Sequence, residues 1–228
     1  MGEGIGNDNL IMPFITSASI ACGYHAGDVV TMQQTIEACV KHKTAIGAHP
    51  SFYDKENFGR KEMCLPVDEI YELIIQQLII ITEITETFDQ QLHHVKPHGA
   101  LYNMSARDAS IANSIAKAIK DFNPSLIVYG LSGSHSISEA KKIGLKTASE
   151  VFADRTYQDD GSLTPRSQAD ALIEQTHIAV KQVLQMIKDG TVTTVSGKTI
   201  PIIAETICIH GDGKKAVEYA KAIYEAIK

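Results

Sequence analysis

Residues 92–103 read LHHVKPHGALYN. A short β-prone run, LHHVK (92–96), breaks at Pro97 into a glycine-bearing turn, and a helical pattern takes over downstream. Five more runs have the same setting: SASIAC (17–22), TAIGA (44–48), LIVYG (126–130), KTASEV (146–151) and TICIH (206–210). Runs this short, with little strict alternation, read as parallel strands covered by helices. The segments 29–42, 67–88, 106–122 and 166–190 carry apolar residues at helical intervals and supply that cover. Ser105 with Asp108 is expected to start the third helix, Pro165 to sit in the first turn of the fourth, and Gly190 to end it. Gly144 separates a short helix from its strand, and 191–205 reads as a hairpin insert. No Pro/Gly-rich boundary interrupts the rhythm, so one α/β domain over 1–228 is expected. Six strands are visible; a seven-stranded β/α barrel needs one more, and a doubly wound sheet is the alternative.

Composition excludes several classes. The 228 residues are 44% hydrophobic, enough for one substantial core, and 21 Lys plus Arg against 27 Asp plus Glu give a net charge of -6. That balance argues against a nonspecific nucleic-acid binder. The greasiest stretch, ELIIQQLIIITEI, is too short and too polar to span a bilayer and reads as a buried helix face. Cys22, Cys39, Cys64 and Cys208 lack metal-finger spacing and no secretory segment precedes them, so a reducing cytoplasm is the expected setting. Cys22 reads as a small hydrophobe rather than a nucleophile.

In a β/α barrel the C-terminal strand ends face the reaction site. The runs deliver His25 and Asp28, His49 and Asp54, Lys96, His98 and Tyr102, Asp154 and Arg155, and His210 and Asp212. Each has a bland reading. Asp28 is placed to cap the helix beginning at Val29, Asp212 to cap the last helix, and Asp154 with Arg155 to anchor a loop. His98 fits a turn-fixing role, and His93 and His94, nearer a strand start, suit packing. Two chemistries remain. His25 and His49 with a carboxylate could hold a divalent metal for hydrolysis. Alternatively Lys96 and Arg155 stabilise charge on a polarised carbonyl while His98 or an aspartate moves a proton.

The motifs IACGYHAGD (20–28), GAHPSF (47–52), FGRKEM (58–63), VKPHGALYN (95–103), EVFADRTY (150–157), LTPR (163–166) and ICIHGD (207–212) stand in the order of the lactam-utilisation family. The chain resembles that family nearly end to end. The resemblance implies a seven-stranded β/α barrel akin to the glycoside hydrolase/deacetylase superfamily. It also implies ATP-dependent opening of 5-oxo-L-proline to L-glutamate, with two further subunits, the B and C proteins. Carried residue by residue, it points to His25, Asp28, His49, Tyr102 and His210 as substrate-binding, and to Lys96, His98, Asp154, Arg155 and Asp212 as catalytic. The family usually begins with a DLNCDLGE-like strand, whereas this chain begins MGEGIGND. The first strand is therefore expected to be truncated, and with it the key acidic group. Ser19 stands where the family has asparagine. Two other functions are weighed: a metal-dependent deacetylase of a sugar or small amide, and a non-catalytic lactam-binding subunit.

Overall fold

The structure, a computed structural model, describes residues 1–213 and 215–228. It divides into two compact units, residues 1–130 with 134–148 and residues 131–133 with 149–228.

The first unit begins with helix α1 (Asp8–Ile11) and a 3-10 turn (Met12–Phe14). Strands β1 (Ser17–Ala21), β2 (Ala45–His49), β3 (His94–Val95) and β4 (Ile127–Leu131) then pair in parallel, in chain order. Helices α2 (Val29–His42), α3 (Val67–Glu86), α4 (Gly99–Arg107), α5 (Ala109–Phe122) and α6 (His135–Lys142) connect or follow them. Strand β5 (Lys146–Phe152) leads into the second unit, which holds α7 (Thr176–Asp189), β6 (Thr191–Thr193), β7 (Thr199–Pro201), β8 (Thr206–Cys208) and α8 (Ala216–Ala226). There β5 pairs in parallel with β8 through Glu150–Phe152, and β6 with β7 forms the expected antiparallel insert. All six runs read from the sequence are strands.

A seventh parallel strand is absent among the described residues. Where the family pattern places it, the Met1 amine donates to Ser19 O and Ala21 N donates to Met1 O, both at 3.0 Å. These are the two bonds of a parallel neighbour at the edge of β1.

The core of the first unit follows from α3. Ile70, Ile74, Leu78 and Ile81 recur at helical spacing and are fully buried, each contributing about 1.5–3 kcal/mol. This face packs against α5, whose Ile111, Ile115 and Ile119 form the matching stripe. No described helix is long and apolar enough to cross a membrane.

Two helix expectations are corrected. The predicted third helix is divided at Asp108, whose backbone is extended (φ -121°) and whose carboxylate accepts from Ser110 N and Ile111 N. Asp108 is therefore the cap of α5, while the Ser105 hydroxyl bonds Tyr102 O and Ser136. The predicted fourth helix starts ten residues late, at Thr176 rather than near 166. Segment 164–173 forms turns instead of a helix, with Gln168 N donating to Pro165 O and Ala171 N to Gln168 O, and it is tied to the chain before it: Arg155 donates to Thr164 O and Ala171 O, and Ile173 N donates to Asp154 O. Gly190 ends α7 in the left-handed region as expected (φ 61°).

His94 is a packing residue. It is buried, its ring stacks on Tyr129 at 4.0 Å, and its Nε2 lies 3.1 Å from Ser19 Oγ. A Cβ on Gly47 would sit 2.1 Å from that imidazole, so the neighbouring strand needs glycine there. Ser19, the departure from the family pattern, thus serves as the His94 partner.

Candidate functional site

Three strand ends of the first unit converge. His49 is the last residue of β2, His25 lies in the turn after β1, and His98 is the residue before α4. Gly99, at φ 55°, lets α4 start against the loop that follows β2: Ala100 N donates to Gly59 O at 2.9 Å, and a Cβ on Gly99 would lie 2.4 Å from that oxygen. The loop itself is clamped from α3. Gln77, fully buried, donates to Ser51 O at 2.8 Å and accepts from Ser51 N at 2.9 Å. This polar pair replaces hydrogen bonds that a buried backbone would otherwise lose.

The imidazoles are packed ring on ring. His25 stacks on His98 with centroids 3.8 Å apart and planes 7° from parallel, and His49 stands edge-on to His98 at 4.8 Å. His49 Nδ1 lies 2.6 Å from Lys96 O, and His98 Nε2 lies 2.8 Å from Phe58 O. A carbonyl oxygen only accepts, so both nitrogens carry protons. The other nitrogens, His49 Nε2 and His98 Nδ1, face each other at 3.0 Å. Burial pushes the His98 imidazole down to about 3, with the charge of His25 adding to it; burial also holds His49 well below its ordinary value, assisted by His98 and Lys96. Both rings are neutral near pH 7, which leaves two lone pairs aimed into one small space.

Glu3 completes the cluster. Its Oε1 lies 3.3 Å from His25 Nε2 and 4.0 Å from His98 Nδ1, with only 10% of the side chain exposed. Burial pushes its carboxyl up, but the terminal ammonium, the His25 hydrogen bond and the adjacent imidazoles outweigh it and hold Glu3 below the usual carboxylate range. His25, which donates to Glu3, keeps a buried Nδ1 with no hydrogen-bond partner among the described residues. One ligand atom from each of Glu3, His49 and His98 lies within 4.8 Å of the others, a set that could hold a metal ion.

The remaining predicted residues of this unit sort differently. Lys96 is buried and its ammonium lies 5.8 Å from the Tyr102 ring centroid, while its carbonyl holds His49. Asp28 takes the capping role: its Oδ1 accepts from Thr31 N at 2.8 Å and Thr31 Oγ1 at 2.7 Å. Cys22 is buried with its thiol 3.4 Å from Ile20 O, and burial pushes it up to about 12, far from thiolate chemistry.

In the second unit, Asp154 and His210 form a dyad. His210 Nδ1 lies 2.9 Å from both carboxylate oxygens of Asp154, and its ring stacks on Phe152. Burial raises the Asp154 carboxyl, yet the charge and hydrogen bond of His210 overcome it and leave it below its usual value. The carboxylate fixes Nδ1 as the protonated nitrogen and leaves Nε2 the basic one. Arg155 is a loop anchor, its guanidinium bonded to Ala171 O at 3.2 Å and Thr164 O at 2.5 Å. Burial, with Arg166 nearby, lowers it to about 10. Asp212 lies in the turn after β8.

The LamB/YcsF family model matches residues 1–228. The chain belongs to the LamB/YcsF family. It is 48% identical over 225 residues to a Bacillus cereus (strain AH187) protein named as the A subunit of 5-oxoprolinase, covering 98% of this chain and 89% of the relative. A Staphylococcus carnosus (strain TM300) protein of the same name is 49% identical over 232 residues, covering 100% of this chain and 92% of the relative. Among solved structures, the lactam utilization protein from Thermus thermophilus superposes with a TM-score of 0.91 at 37% identity, covering 97% of this chain and 89% of that one.

Against the LamB/YcsF expectations, the first unit brings together His25, His49 and His98, with Lys96 beside them, and the second joins Asp154 to His210. Asp28 and Arg155 have their polar groups committed to a helix cap and to loop carbonyls. Of the metal candidates His25 and His49, His49 belongs with Glu3 and His98 to the set that could hold an ion, and His25 instead donates to Glu3. Two residues were missed. Glu3 lies in the MGEGIGND start, near the end of the family's opening signature, and supplies a carboxylate to the cluster. Gln77 was visible only as a polar break in an apolar helix face.

Proposed function

We propose that this chain is the A subunit of an ATP-dependent 5-oxoprolinase, working with two partner proteins, B and C, to open 5-oxo-L-proline to L-glutamate. The observation that carries the reading is the end-to-end likeness, near half identity, to proteins named as the A subunit of 5-oxoprolinase. The buried imidazole cluster at three strand ends supports an active role rather than passive binding.

The lactam is a resonance-stabilised amide, so water opens it slowly. In the reading proposed here its carbonyl oxygen attacks the γ-phosphorus of ATP and ADP leaves. Water adds to the activated ring carbon and gives up a proton, the C–N bond breaks with a proton going to nitrogen, and a second water releases phosphate from the resulting acyl phosphate. The net consumption is one ATP and two waters.

This chain's groups suit parts of that sequence. The Lys96 ammonium can balance charge developing on oxygen or phosphate. His210, with Nδ1 fixed by Asp154, can take a proton at Nε2. Asp154 then acts as a positioning residue, and Arg155 acts through the loop it holds.

The test is glutamate formation from 5-oxoproline by the chain reconstituted with its two partners, with and without ATP. ATP-dependent glutamate release is expected, and Lys96→Ala is expected to lower kcat about 10²–10³-fold, the cost of an oxyanion donor. Turnover without ATP, or none with the partners present, would overturn the reading. Near-normal turnover of Lys96→Ala and Asp154→Ala would leave the chain as a lactam-binding subunit.

A further inference from the structure

The histidine pair of the first unit is electrostatically incomplete. In neutral rings the carbonyls of Lys96 and Phe58 claim the one N–H of each, so the remaining nitrogens, His49 Nε2 and His98 Nδ1, face each other as lone pairs 3.0 Å apart. Two imidazole lone pairs at that distance repel unless a cation lies between or beside them. Glu3 adds a carboxylate to the same space, 4.0 Å from His98 Nδ1. Such a set of acceptors, enclosed by protein, asks for positive charge.

We propose that Glu3, His49 and His98 form a binding site for one divalent cation of the zinc class. Four observations bear on it. The donor set, two imidazoles and one carboxylate, suits zinc and its first-row neighbours and is poor for calcium or magnesium. The 3.0 Å nitrogen separation matches two ligands at about 2.0–2.1 Å from one ion with an angle near 90–110°, which spaces them by about 2.9–3.4 Å. Each histidine gives its remaining N–H to a backbone carbonyl, Lys96 O or Phe58 O, the outer contact that fixes a ligating imidazole. Finally, His25 donates to Glu3 from one side while stacking on His98, which orients both at once.

A shared proton is the competing way to satisfy the pair, but one proton bridges two acceptors only, whereas three ligand atoms converge here. A metal ion brings two positive charges and accepts three donors, so it satisfies Glu3 as well. Three protein ligands leave at least one position open for water or another oxygen ligand.

The site does not depend on the lactam reading, and its test uses neither 5-oxoproline, ATP nor the partner proteins. Untagged full-length chain, stripped with chelator, is titrated with zinc by calorimetry, its metal content measured after gel filtration, and its Tm recorded with and without zinc. Cobalt is substituted to read coordination from the visible spectrum. About one zinc per chain is expected, with a rise in Tm and a cobalt spectrum showing imidazole nitrogen ligation. Glu3→Gln and His98→Gln are expected to weaken binding by at least about 100-fold, and the outer-contact variant His25→Phe by about 10–100-fold. Circular dichroism of each stripped variant separates lost binding from lost fold; should His98→Gln fail to fold, Glu3→Gln and His25→Phe carry the comparison. No stoichiometric zinc and no zinc-dependent Tm shift in the native sequence would overturn the proposal. So would undiminished zinc binding by folded Glu3→Gln and His25→Phe, since the ion would then lie elsewhere.

Discussion

Replacing Gly59 by alanine is expected to damage the first unit far beyond the ordinary cost of losing a glycine. Gly59 sits at φ 64°, where an L side chain costs about 1–2 kcal/mol in backbone strain. Its Cβ would also lie 2.2 Å from Ser51 Oγ, 2.8 Å from His25 Cβ and 3.0 Å from His98 Cδ2. None of these neighbours can move cheaply. The Ser51 side chain is fully buried on a backbone that Gln77 holds at both groups, His25 Cβ is fixed to its own backbone, and the two rings are stacked on each other. Overpacking of this kind adds about 1–3 kcal/mol. The sum is about 2–5 kcal/mol, or a fall in Tm of about 4–20 °C at about 2–4 °C per kcal/mol for a chain this size. Gly144→Ala is the control. It has a φ of 83° but open space around its Cβ, so only the backbone strain applies and a fall of about 2–8 °C is expected. Thermal unfolding by circular dichroism measures both, and glutamate formation by the reconstituted complex is expected to fall only for Gly59→Ala. Equal Tm losses with equal activities would refute the claim that Gly59 sets the spacing of the histidine cluster.

Gln77→Leu should destabilise the chain by about 2–4 kcal/mol, because Ser51 N and O lose their partners inside the protein; a urea titration shows this, and a loss under about 1 kcal/mol would contradict the clamp. Asp154→Asn should lower kcat of the reconstituted complex by roughly 10²-fold while KM stays nearly constant, and should displace the acidic limb of the pH–rate profile; an unchanged profile would remove Asp154 from proton transfer. Stability should also fall with pH. The unfolded chain's histidines bind protons below about pH 6.5, whereas His94 and His98 are held neutral down to about 3, so stability is full above about pH 6.5 and declines as pH drops through that window. The slope per histidine is about 1.4 kcal/mol per pH unit, and identical urea midpoints at about pH 7 and about pH 5 would refute it.

The strands were legible because each is a short β-prone run that ends in polar residues and is followed by a helical pattern or turn, a signal that needs no knowledge of what packs on it. Helix limits were less so. The stripe through 106–122 has one apolar period, and only the competition between Ser105 and Asp108 for a capping role decides where it divides. Segment 166–175 also looks helical, yet a distant guanidinium takes the carbonyls at 164 and 171. Such long-range claims on backbone groups leave no periodic trace.

The site shows the same limit in sharper form. Strand-end position alone brings His49 and His98 forward, and the two rings lie side by side. It could not give the ring orientations, because the groups that set them are the carbonyls of Lys96 and Phe58, which every residue possesses. Once those carbonyls fix the tautomers, the roles follow from charge: two lone pairs and Glu3 form an acceptor site, while His25 is spent as a donor. In the second unit a carboxylate fixes the tautomer instead, so His210 keeps a basic Nε2 beside a negative partner. The contrast yields a direct check. Histidine nitrogen shifts in the stripped chain should report Nδ1–H tautomers for His49 and His210 and the Nε2–H tautomer for His98, with zinc moving the signals of His49 and His98 and sparing those of His210. A response of His210 alone would reverse the assignment of the two histidine environments.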